Sequence, residues 1–158
     1  MSDGSSRSEA SRNEASRSEA SRNEASRNEQ IRNAIAAYCQ ALDDGRTDDV
    51  VALFCDDAKI DLPGQGVFEG TAAIAEAYAG WVPRRPQRHL VLNTVISDPM
   101  PDGRVQAVSD LVFLLKLRNP EQSQDPAAWA VQLVGRYDDV FRQDDGVWRI
   151  HRRRAEFQ

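Results

Sequence analysis

The hydrophobic period of this chain changes once, near Arg88, and that change limits the fold more than any other feature. Before it, Ile31, Ala34, Ile35, Tyr38 and Leu42 recur at the spacing of a core-facing helix. After it come four long segments rich in β-branched and aromatic residues, roughly 88–98, 104–118, 129–143 and 147–157. Turn formers separate them: Pro99 to Gly103, a polar loop from Asn119 to Pro126, and Asp144-Asp145-Gly146. Helices followed by an antiparallel meander predict an α+β domain with its helices on one face of the sheet.

Upstream of the switch, the first helix stops at Asp43-Asp44-Gly45, glycine being the usual residue past a helix end. A short second helix is expected to bury Val50, Val51, Leu53 and Phe54, with Asp56-Asp57 as a turn and cap pair after it. Lys59 to Leu62 reads as a strand, Pro63-Gly64-Gln65-Gly66 as a turn, and Gly70-Thr71 as the start of a third helix carrying Ile74, Tyr78 and Trp81 on one side. Cys39 and Cys55 both read as free, buried cysteines in helices, which suits a reduced, cytoplasmic protein. No apolar run has the length of a signal peptide core or a membrane span. The net charge of -5 argues against a nucleic-acid partner, and Arg152, Arg153 and Arg154 alternate faces in a strand instead of forming a basic patch.

Residues 1–29 are a different material. From Ser6 to Gln30 the chain repeats SRSEA or SRNEA, ending in SRNEQ, with no side chain able to build a core. Glu9 and Arg12, or Glu14 and Arg17, stand at a spacing that supports an isolated helix slightly. A disordered or frayed helical extension is expected there, with one domain over 30–158.

Alternation sorts the strand residues by face. His89, Val91, Asn93 and Val95 share one side of the first long strand. Gln106, Val108, Asp110 and Val112 share one side of the second, and Gly135, Tyr137 and Asp139 one side of the third. Polar residues within apolar alternation need a partner, a ligand or solvent, which singles out His89, Asn93, Asp110 and Tyr137.

The run YCQALDDGRTDDVVALFCDDAKIDLPGQGVFEGTAAI (Tyr38 to Ile74), followed by HLVLNTVI, GRYDDVF and DGVWRI, resembles the nuclear transport factor 2-like superfamily. The resemblance implies a cone-shaped domain in which N-terminal helices fill the concavity of a curved, mostly antiparallel sheet around a deep pocket. Within the superfamily the chain is similar to the SnoaL-like and scytalone dehydratase branch. Asp43 matches the acidic residue ending the first helix there, and His89 a histidine of the first long strand. Three positions depart: a second histidine falls at Asp110, an asparagine at Tyr137, and a tyrosine at Leu42. Tyr38 matches the oxyanion-hole tyrosine of the ketosteroid isomerase branch, whose catalytic aspartate falls at Leu62. The Arg-x-Asp spacing of limonene epoxide hydrolase is not found.

The residues and the resemblance together predict a cofactor-independent lyase or isomerase, a dehydratase or cyclase for instance. His89 would be its general acid or base, and Asp43 or Asp110 the group that orients it. Tyr38 and Tyr137 would polarise the oxygen of a small carbonyl-bearing, polycyclic or polyketide-like substrate. Asn93, Asp110, Trp81 and Phe54 complete the expected lining for a hydrophobic or aromatic molecule. No cofactor and no metal-ligand cluster are indicated. The alternatives are a ligand-binding or accessory domain without turnover, and an oligomerisation module resembling the small subunits of ring-hydroxylating dioxygenases. A homodimer is expected through an outer sheet face carrying Leu90, Leu92, Leu111 and Phe113.

Overall fold

A computed structural model describes residues 4–117 and 128–158. In chain order the elements are α1 (Gly4–Asp43), α2 (Thr47–Ala52), β1 (Phe54–Leu62), β2 (Gly66–Glu69), α3 (Gly70–Ala79), β3 (Gln87–Ile96), β4 (Val105–Lys116), β5 (Trp129–Asp144) and β6 (Val147–Phe157). The polar loop expected over Asn119 to Pro126 lies outside the described residues.

The strands form one curved, unclosed sheet in the order β2-β1-β6-β5-β4-β3, antiparallel throughout except for the β1–β6 pair. Register breaks in β1–β6, β3–β4, β4–β5 and β5–β6 account for the curvature, because an extra residue on one strand bends it. The helices lie against this sheet: α1 crosses β3 and β6, α3 lies on β1 and β2, and α2 bridges α1 and α3. Ile31, Ile35, Tyr38 and Leu42 of α1 meet Ile74 and Tyr78 of α3 over Val105, Leu111, Phe141 and Ile150 of the sheet, all buried. Among the described residues, no helix is long and apolar enough to cross a membrane.

The end of α1 is tightly specified, and it places the site. Gly45 adopts φ +70°, and a Cβ there would stand 2.9 Å from Pro83 Cδ. The Arg46 N–H donates to the Ala41 carbonyl at 2.8 Å, and buried Gln87 Nε2 donates to the Leu42 carbonyl at 3.3 Å. Helix-end carbonyls that would otherwise be orphaned are thereby paired from the loop and from β3.

Two local expectations are corrected. Helix α2 stops at Ala52, so Phe54 and Cys55 begin β1 instead of continuing a helix, and Asp56-Asp57 lies within that strand. The cause is long-range: Phe54 pairs with Ile150, and the Ile150 N–H donates to the Leu53 carbonyl at 2.8 Å. Leu111 and Phe113 face inward, whereas Leu90 and Leu92 are exposed. The expected alternation of Arg152, Arg153 and Arg154 holds, with Arg153 fully buried between two outward-facing neighbours.

Helix α1 begins at Gly4, far ahead of the first buried residue, Ile31. Residues 12–26 are exposed along its whole circumference, and an open cleft separates Ala20 to Gln30 from Asp98, Pro99, Gln143 and Trp148. Deleting residues 1–27 is therefore expected to leave the melting temperature and ligand binding unchanged within error. A drop of several degrees in a thermal scan would show that the segment docks.

Candidate functional site

A small apolar cavity lies between the helices and the sheet. Its walls include Tyr38 and Leu42 of α1, Tyr78 of α3, Trp81, His89 of β3, Leu111 and Phe113 of β4, and Tyr137 of β5. Gln65 of the β1–β2 turn and Phe157 of β6 also contribute. The cavity is about 70 Å³, against roughly 300–1,000 Å³ for pockets that hold drug-sized ligands.

At one wall Asp43 and His89 form a tight pair. The His89 backbone N–H donates to Asp43 Oδ2 at 2.9 Å, and ring Nδ1 lies 2.6 Å from Oδ1. Both side chains are 6% exposed. A carboxylate that already accepts the backbone N–H also favours the tautomer with hydrogen on Nδ1, which leaves Nε2 as a proton acceptor. Phe113 stacks on the imidazole at a centroid distance of 4.5 Å, so the ring is held on its face as well as its edge. Two elements distant in sequence make this pair: Asp43 is the last residue of α1, and His89 is the third of β3.

Three tyrosines, Tyr38, Tyr78 and Tyr137, also line the cavity. The Tyr38 and Tyr78 hydroxyls are 2.6 Å apart, and Tyr38 meets Tyr78, Tyr137 and Phe54 edge-on at centroid distances of 6.0–6.2 Å. Burial pushes all three tyrosines above the ordinary phenol range, so they remain protonated donors. From sequence alone Tyr78 reads only as part of the apolar side of a helix. Its hydroxyl is visible as chemistry only once α3 is laid against α1.

Trp81 lines the cavity with His89, Tyr38 and Tyr137; Asn93, Asp110 and Phe54 do not. Asn93 sits at a register break with φ 52°, which turns the alternation of β3 over, so Thr94 and Ile96 point inward in its place. Its side chain donates to Asp110 Oδ2 at 3.0 Å on the outer face, where Arg136 also holds Asp110. Asp110 therefore cannot orient His89. Phe54 packs in the core against Tyr38, because β1 starts at Phe54, five residues ahead of the expected Lys59.

A possible donor set for a metal lies elsewhere. Ligand atoms of Cys55, Asp57 and His151 fall within 4.8 Å of one another. The Arg142 guanidinium already occupies that space, donating to Asp57 at 2.8 and 3.0 Å and standing 3.3 Å from His151 Nδ1. Burial also pushes the Cys55 thiol up to about 12. A cation would have to displace a guanidinium and ionise a reluctant thiol, so these residues fit a salt-bridged surface cluster better than a metal centre.

No curated protein matches the chain. Among solved structures it is similar to a candidate scytalone dehydratase from Novosphingobium aromaticivorans (19% identity, TM-score 0.71, covering 85% of this chain and 86% of that one). It is similar also to ActVI-ORFA from Streptomyces coelicolor (19% identity, TM-score 0.70, covering 82% and 95%). A third is the beta subunit of a candidate aromatic-ring-hydroxylating dioxygenase from Novosphingobium aromaticivorans (21% identity, TM-score 0.66, covering 82% and 88%). At these identities the likeness establishes the fold alone. The SnoaL-like domain family matches residues 23–154, most of the chain, and the chain belongs to that family.

Proposed function

We propose that this domain is a cofactor-independent acid–base enzyme of the lyase or isomerase type, acting on a small carbonyl-bearing substrate of aromatic or polyketide-like character. The observation that carries this reading is the Asp43–His89 pair at an apolar cavity that three tyrosines also line. In this mechanism Nε2 of His89 removes a proton from the carbon beside the carbonyl. The resulting imidazolium is stabilised by Asp43, and the charge gathering on the carbonyl oxygen is met by donors at the Tyr38–Tyr78 end, with Tyr137 beside them. The same proton then leaves Nε2: for a departing hydroxyl in a dehydration, for another carbon in an isomerisation, or for the alkoxide formed when the carbanion closes on a second carbonyl in a cyclisation.

A panel of hydroxylated aromatic ketones and polyketide-like enones, offered without added metal or redox cofactor, tests the assignment. Turnover of one member, with exchange of the proton beside its carbonyl, supports it. Binding of several members with turnover of none would transfer the assignment to a ligand-binding or accessory domain. That second reading draws on the small cavity and on the dioxygenase beta-subunit neighbour. A reduced, cytoplasmic setting suits either reading, since Cys39 and Cys55 are both buried and unpaired.

The outer face of β3, β4 and β5 carries exposed Leu90, Leu92, Val131 and Val134, with Val112 and Leu114 between them in register. Apolar patches of this kind mark interfaces. The protein is therefore expected to be a homodimer through this face. Light scattering that returned a monomer mass at micromolar concentration would rule that out.

A further inference from the structure

Arg153 is fully buried, yet its guanidinium is only partly satisfied. Nε and Nη2 donate to Asp139 at 2.7 and 2.6 Å, and the two residues face each other across the β5–β6 register. Nη1 has no hydrogen-bond partner, and among the described residues it is the one buried side-chain nitrogen or oxygen of that kind. Buried polar groups are nearly always paired, so an exception asks for a reason. The guanidinium carbon stands 3.9 Å from the Tyr38 ring centroid and 4.2 Å from that of Tyr137. Those two rings are nearly perpendicular, at 87°, and both line the cavity, whereas Asp139 does not. The ion pair is thus a dipole with its positive end against the cavity's phenolic wall. Fastening β5 to β6 explains the two bonds to Asp139. It does not explain an unpaired cationic N–H beside two cavity-lining phenols.

We propose that the Arg153–Asp139 pair tunes the tyrosine wall to hold an oxyanion, and that the ligand carries an acidic oxygen, phenolic or enolic, seated there as its conjugate base. Arg153 acts through Tyr38 and Tyr137, so it is a positioning residue for the ligand's oxygen. At Tyr38, Tyr78 and Tyr137 alike, its charge opposes the upward push of burial, which makes the hydroxyls stronger donors without ionising them. The other titratable neighbours are Asp139, which is its counterion, and Cys39 of α1, whose thiol burial pushes up to about 12 and so keeps neutral. Asp43, at the C-terminal end of α1, is engaged with His89. The proposal deepens the acid–base reading by naming a substrate class, but its test is a binding measurement and needs no turnover.

The probe is 4-nitrophenol, whose anion absorbs in the visible, with 4-nitroanisole as its neutral analogue of similar shape. Bound to the full chain, 4-nitrophenol is expected to remain ionised about one pH unit further into acid than it does free in water, a tenfold preference for the anion. Arg153→Lys, which keeps the charge, is expected to retain most of that shift. The double variant Arg153→Met/Asp139→Leu, which removes both charges together, is expected to abolish it. A bound probe that ionises as it does in water, a probe that does not bind at millimolar concentration, or an undiminished shift in the double variant would each overturn the proposal. Should the double variant not fold, the wild-type spectrum and 4-nitroanisole affinity decide alone: equal affinity for the anion and the neutral analogue would sink the idea. Those outcomes leave the role of His89 untouched, and a failed turnover screen leaves the oxyanion preference untouched.

Discussion

His89→Ala is expected to lower turnover of any substrate found by about a hundredfold or more, the usual scale for a positioned proton-transfer group. The partner variant is the sharper test. Asp43 accepts from both the backbone and the ring of one residue. An asparagine can accept only one of those hydrogens, and its amide would face the other. Relief comes if the ring flips its tautomer, placing hydrogen on Nε2 and removing the proton acceptor from the cavity. Asp43→Asn should therefore keep the fold and lose much of the same activity. His89→Ala/Asp43→Asn should cost less than the sum, because the two act as a unit. Asp110→Asn, on the outer face, is the control and should leave kcat unchanged. Unaltered kcat in His89→Ala would end the acid–base mechanism.

The second large effect is on stability. Asp139→Ala or Arg153→Met alone should each cost roughly 3–5 kcal/mol in urea denaturation, because each leaves an uncompensated charge in the interior. Both partners are 0% exposed, so no solvent is at hand to screen the survivor. Arg153→Met/Asp139→Leu should recover most of that loss, since apolar replacement of a buried pair is often neutral. Single variants that cost less than about 1 kcal/mol would mean that water reaches the pair.

The four long strands were legible from period alone, to within two residues at every end, because alternation and turn formers agree there. Of β1 only the second half, Lys59 to Leu62, was legible, since Val50 to Cys55 is a short apolar run that fits helix or strand equally. Pairing with Ile150, about a hundred residues onward, decides it. Asp110 shows a different difficulty. Both faces of β4 carry apolar residues, so period two separates Asp110 from Leu111 without saying which one faces the helices. Asn93 was misplaced by counting through a bulge; its tolerance of positive φ was the available clue. Asp43 and His89 were singled out by family resemblance, and their contact depends on the packing of α1 across β3. Arg153 and Asp139 escaped notice because a charged residue in an alternating strand is ordinarily a solvated one.

A space of about 70 Å³ has room for some two water molecules. A ring-bearing molecule exceeds that space, so seating one requires lining side chains to move, and Gln65, Trp81 and Phe157 are among those that solvent reaches. Arrival and occupancy become separate events with separate rates, and association falls below the speed of simple encounter. The same delay shields a committed molecule from bulk solvent, so that a carbanion formed beside His89 would meet few stray protons during its lifetime.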